Sequence, residues 1–247
     1  MNKLVKLELR NLFRQKSFLI CLIISTSLIV IGILASNFLN NLAKQAGEVD
    51  FLLGVNAFDN FIGYLGGGNL SLLLAITVSI YFGSEASDGT VKNIISKGYK
   101  RSEFFISKVI CVIIMTIIFI LTAVIFNYLI CIVMGIDLGT FNISTFACVS
   151  LTIIAEAIMF SSISFIIFKT SANIVANICI PMLLPLGLTL LDVLAKLKFK
   201  IADFWIGNTS ALFNNTSKLP FMIIVSACYI VIFIILGITL TKRKEIK

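Results

Sequence analysis

The sequence predicts an all-α polytopic membrane bundle of six transmembrane helices, with an amino-terminal interfacial helix before them and a short cytoplasmic helix between the second and third. Three observations carry this. Hydrophobic residues make up 59% of the chain and charged residues 13%, with a mean hydropathy of +1.06, whereas soluble domains hold roughly 25% charged and 45–50% apolar residues. The apolar residues gather in runs of about 20, the length a helix needs to cross a hydrocarbon core about 30 Å thick. Lysines and arginines fall between those runs, mostly in every second connection and so on one side.

Before the first run, Leu4, Val5, Leu7, Leu12 and Phe13 interleave with Lys3, Lys6, Arg10 and Arg14. At helical spacing this makes an apolar stripe in a basic surround, as in helices that lie at a membrane surface. Spans are expected at 17–36, 61–84, 109–134, 141–168, 172–194 and 220–240, all within one transmembrane unit of residues 1–247. The first run is span-length and continues into Asn37-Phe38-Leu39, unlike a cleavable signal with its short apolar core. Residues 70–83 are too few to cross alone, so the second span begins near Phe61 and takes in Gly66, Gly67 and Gly68 as a weak point. Pro181 and Pro185 fall inside the fifth span, where neighbouring helices must satisfy the freed carbonyls. Outer loops are expected at 37–60 and 195–219. The second carries Phe204 and Trp205 among lysines and is expected to lie on, or dip into, the outer leaflet.

With six spans, 15 of the 20 basic residues fall on the side of the termini, which by the positive-inside rule makes both termini cytoplasmic. The same placement removes a nucleic-acid reading of the +8 charge, since nucleic-acid binders cluster their basic residues on one face. Cys21, Cys111, Cys131, Cys148, Cys179 and Cys228 lie in apolar stretches without C-x-x-C spacing and read as small buried hydrophobes. A chain without histidine offers neither a zinc site nor a histidine-based triad, so no catalytic or metal residue is assigned.

Between the second and third spans lies Glu85-Ala-Ser-Asp88-Gly89-Thr90-Val91-Lys92-Asn93-Ile94-Ile95-Ser96-Lys97-Gly98-Tyr99-Lys100-Arg101. Asp88 or Thr90 suits a helix start and Gly98 a left-handed cap. Val91, Ile94 and Ile95 share one face, which needs a groove on a partner protein or a membrane surface to cover it. Glu85, Gly89, Thr90, an aliphatic residue, a short helix, then Arg101 and Lys108 resemble the cytoplasmic loop of type-2 ABC exporter permeases, in particular those of antimicrobial or cytolytic peptide export and immunity.

That resemblance implies that Glu85, Asp88, Gly89, Thr90, Val91, Ile94, Ile95, Arg101 and Lys108 couple the chain to an ATPase, with residues of this segment forming a coupling helix. It also implies a partly re-entrant segment before the last span and a second permease, identical or related. The phosphate-cradling G-x-x-x-x-G-K-[ST] loop is absent. ABC ATPase subunits are therefore expected on another polypeptide, with ATP and Mg bound there and no cofactor on this chain. The implied cargo is a hydrophobic or amphipathic peptide, and the abundance of Ile, Lys and Asn points to a bacterial plasma membrane.

Glu156 is the one carboxylate near the middle of an expected span, so it should face a cavity, the bundle interior or a partner. Glu156, Thr152 and Asn127 are the expected pathway residues, with Glu156 either meeting a cationic cargo group, holding a proton or serving as a structural hydrogen-bonding residue. Asn127, Asn173 and Asn177 equally suit interhelical hydrogen bonds. Asp192, at a span end, is expected to be solvated. The alternative function is a secondary transporter or channel with Glu156 as its proton or cation site.

Overall fold

The structure is a computed structural model that describes residues 2–46, 56–87, 101–167, 169–195, 200–210, 212 and 218–243. Among them it is helical without strands: α1 (Asn2–Arg14), α2 (Lys16–Ala46), α3 (Ala57–Gly66), α4 (Asn69–Ser87), α5 (Arg101–Met134), α6 (Ile143–Ile167), α7 (Thr170–Ala195), a 3-10 turn (Ile201–Phe204), α8 (Ile206–Ser210) and α9 (Leu219–Arg243). Five helices are long and apolar enough to cross a membrane, and six spans result if α3 and α4, bent by 46° at their junction, count as one.

The bend follows from the three glycines. Gly68 has φ +81°, a left-handed conformation that costs glycine little. A Cβ at Gly67 would stand 2.7 Å from the Gly63 carbonyl oxygen, which accepts the Gly67 N–H at 2.9 Å. Asn56 caps α3 by accepting the Asp59 N–H at 2.9 Å.

The first outer loop departs from expectation. Instead of ending at residue 36, α2 runs to Ala46, and α3 begins at Ala57, so a connection expected over 37–60 is largely helix. No glycine or proline interrupts residues 33–46, so nothing in the chain stops the helix where the most apolar run ends. Likewise α5 begins at Arg101 rather than 109, with Glu103 in its first turn favoured by the helix dipole.

Chain direction alternates, so α1, the start of α5 and the end of α9 meet at one end of the bundle, the terminal end. There Phe82, Phe104 and Phe105 surround the ring of Phe165, with centroids 5.3–6.3 Å away. At the distal end Phe58 and Phe146 pack on Phe141 at 5.4 Å. Two helix crossings at the terminal end depend on glycine: a side chain at Gly83 of α4 would overlap Thr170 of α7, and one at Gly237 of α9 would overlap the ring of Phe105. Ser162 of α6 donates to the Phe233 carbonyl of α9 at 2.9 Å.

The segment before the last span turns inward. Trp205, Ile206, Thr209 and Ser210 are buried while Phe204 is half exposed. Asp192 holds its start: one carboxylate oxygen accepts the Ile201 N–H and the other the Ala202 N–H, both at 2.9 Å. Asp192 is thus a cap for the re-entrant turn rather than a solvated span end. Of the six free cysteines, Cys179 and Cys228 are exposed on α7 and α9, correcting the expectation that all are buried; both sit on faces that no other described helix covers.

Candidate functional site

The expected coupling residues divide into three groups. Asp88, Gly89, Thr90, Val91, Ile94 and Ile95 lie outside the described residues, and so does the short helix expected there. Glu85 falls in the last turn of α4, and Arg101 is the first residue of α5. Lys108, two turns into α5, is fully buried. Its Nζ lies 2.9 Å from Oε2 of Glu8 and 3.7 Å from the centre of the Tyr81 ring. The Tyr81 hydroxyl donates to the same Glu8 oxygen at 3.0 Å.

Glu8 is the one acid of a basic helix, placed between Leu4 and Leu12 on the face that α1 buries against α5. A second tie comes from Gln15, whose amide donates to Ser84 of α4 at 3.0 Å. The amino-terminal helix is therefore fastened to both stems of the 88–100 segment, the end of α4 and the start of α5.

At the bend of the α3–α4 pair a cavity of about 380 Å³ opens, within the range of small-ligand sites. Gly66, Gly67, Gly68, Ser71 and Ala75 form one wall, and Pro181, Met182 and Pro185 of α7 form another. Trp205, Gly207, Asn208 and Ser210 of the re-entrant segment close it on the distal side, and Glu156 and Phe160 of α6 form its back. The Ser71 hydroxyl is hydrogen-bonded to the Glu156 carboxylate. Gly207 keeps the space before that carboxylate open: a Cβ there would stand 3.0 Å from Nε1 of Trp205 and 3.6 Å from Oε1 of Glu156. Tyr229 of α9, hydrogen-bonded to the Ile206 backbone, fixes the start of α8 from behind.

Toward the terminal end Asn177 bridges three helices, donating from Nδ2 to Ser79 of α4 and Ser164 of α6, each at 2.8 Å. The other expected pathway residues sit elsewhere. Thr152, buried one turn from Glu156, bonds back to the Val149 carbonyl at 2.7 Å and is not among the residues that line the cavity. Asn127 donates to the Ala57 carbonyl at 2.8 Å and lines a separate cavity of about 260 Å³ between α2, α3 and α5.

Sequence reasoning alone leaves out Glu8, Ser71, Gly207 and Asn208 as functional candidates. A signal for Glu8 exists, since an acid at four-residue spacing between two leucines stands on an apolar stripe. Nothing comparable marks Ser71, one serine in an apolar helix, or Asn208, because the re-entrant segment has no period that identifies its buried side.

A family model described as ABC-2 family transporter protein matches residues 4–190, from α1 into α7. No curated protein matches the chain. With that match covering well over half of its residues, on a bundle of five to six membrane-crossing helices, the chain belongs to the ABC-2 transporter family, whose members are membrane permease subunits of ABC transporters.

Proposed function

We propose that the chain is the non-catalytic membrane half of an ATP-driven exporter that moves hydrophobic or amphipathic peptides, of the antimicrobial or cytolytic kind, out of a bacterial plasma membrane. The single observation that supports a cargo role is the cavity at the α3–α4 bend. It is walled by two helices with built-in breaks, glycines in one and prolines in the other, and backed by a buried carboxylate.

ABC ATPase subunits, carrying ATP and Mg, dock on the 88–100 segment at the terminal end, which faces the cytoplasm. ATP binding acts only if its states differ in contact energy with that segment. The Glu8–Lys108–Tyr81 cluster supports this role by binding α1 to both stems, so that a displacement of either stem is shared by three helices. A second permease, identical or related, pairs through α7, whose apolar residues Met182, Leu186, Leu190 and Val193 are exposed.

The buried Glu156 also favours one rival, a secondary transporter that uses it as a proton or cation site. Co-purification from the source cells and vesicle transport separate the two. The exporter reading expects an ABC ATPase to be recovered with the chain, transport that requires ATP, and loss of transport in Ile94→Asp with membrane insertion retained. Transport in ATP-free vesicles under a proton gradient, or wild-type transport by Ile94→Asp, would overturn it.

A further inference from the structure

We propose that the Glu156 cavity is a receptor for an ammonium group carried by an amphiphile. This rests on the reading of the cavity as the cargo site and names the chemical group that site selects. A count of hydrogen-bond donors and acceptors around the cavity carries it. Ser71 spends its only side-chain proton on Glu156. Ser210 spends its own on the Gly207 carbonyl at 2.6 Å, and Asn208 gives an amide proton to the Ala202 carbonyl at 3.0 Å.

Asn177 is oriented by its neighbours. The proton of Ser79 goes to the Ala75 carbonyl at 2.6 Å, so the Ser79 oxygen can only accept, and Nδ2 of Asn177 must face it. Its Nδ2 also donates to Ser164, while Oδ1 has no hydrogen-bond partner among the described residues. Apart from the indole N–H of Trp205, the side-chain donors around the cavity are thus largely committed, whereas among the described residues acceptors remain: the Glu156 carboxylate and the amide oxygens of Asn177 and Asn208. Among the described residues, no lysine or arginine lines it.

Such a lining asks for a ligand that brings donors and positive charge. A primary ammonium supplies three N–H groups, and the rings of Trp205 and Phe160 offer it a cation–π surface and a seat for the adjoining alkyl chain. A carboxylate or phosphate would gain one donor, the indole N–H of Trp205, but would meet like charge from Glu156. A neutral apolar ligand would leave the acceptors unpaired, which is costly in a buried site.

Trp205 is the chain's only tryptophan and lines the cavity, so it reports binding directly. The full chain in neutral-lipid nanodiscs is titrated with n-octylammonium, 1-octanol and octanoate while Trp205 emission is followed. The expected result is a saturable change with octylammonium. It should be weakened at least tenfold in Glu156→Gln, while the response to octanol is the same in both proteins. Gly207→Ala keeps the carboxylate but crowds the space before it, and should weaken octylammonium at least threefold. It decides the question if Glu156→Gln does not fold. Unchanged octylammonium affinity in a folded Glu156→Gln or in Gly207→Ala, or an equal wild-type response to all three probes, would overturn the proposal. No ATPase is present in this experiment, so a failure here leaves co-purification of an ATPase standing, and the reverse.

Discussion

Glu8 and Lys108 form an ion pair at 2.9 Å that is closed to solvent on both sides and joins the first helix of the chain to the root of α5. Removing one partner leaves the other charge buried and unpaired. Lys108→Met alone is expected to lower stability by about 3–5 kcal/mol, whereas Glu8→Leu with Lys108→Met should recover most of that loss, short of about 1–3 kcal/mol for the Tyr81 hydroxyl that loses its Glu8 acceptor. Chemical unfolding of the purified single and double variants checks this. The effect should persist in high salt, because a buried pair is screened far less than a surface one.

Gly68 is the second point of leverage. With φ +81°, alanine at this position costs about 1–2 kcal/mol. Because Gly68 also lines the cavity, Gly68→Ala should reduce cargo transport more than it reduces the amount of folded protein. Parallel measurement of vesicle transport and thermal unfolding separates these effects.

Asp192 accepts two backbone N–H groups at the start of the re-entrant turn. Asp192→Ala should cost about 1–3 kcal/mol by leaving those donors unmet. The loss should be local, since the turn carries Trp205: its emission shifts to the red while the far-UV helix signal is retained. Asp192→Asn, which keeps an acceptor oxygen, should show a smaller shift.

Cys179 is exposed on α7, the helix whose apolar face the other described residues leave open, and Cys228 is exposed on α9. If two permeases meet through α7, mild oxidation in membranes should give a disulfide-linked dimer that disappears in Cys179→Ala and persists in Cys228→Ala. Gel electrophoresis without reductant reads the outcome.

What could be read in the sequence divides along a physical line. The long apolar helices, the weak point at 66–68 and the prolines of α7 depend on local composition and are visible within a window of about 20 residues. Lys108 was marked by its place in a motif, but its actual partner is 100 positions away and reaches it only through the fold. Glu156 was visible as a lone carboxylate in an apolar run. Its surroundings were not, because Ser71 comes from α4 and Trp205 and Gly207 from the re-entrant segment, both far from α6 in the sequence. The helices α2 and α5 outrun the spans expected at 17–36 and 109–134 for another reason: hydropathy marks where lipid stops, whereas a helix continues until a glycine, a proline or a cap ends it.

The contact between Gly83 and Thr170 has a mechanical consequence. At the terminal end α4 and α7 touch nearly backbone to backbone, while twelve residues further along α4, at Ser71, the cavity holds them apart. This is the geometry of a pair of tongs with its pivot at the terminal end of the bundle and its jaws at the cavity. The arm from Gly83 to Ser71 is about 18 Å long, so a tilt of about 10° at the pivot moves the jaw by about 3 Å. A small rotation imposed where the two helices touch is thus enlarged at the walls of the cavity.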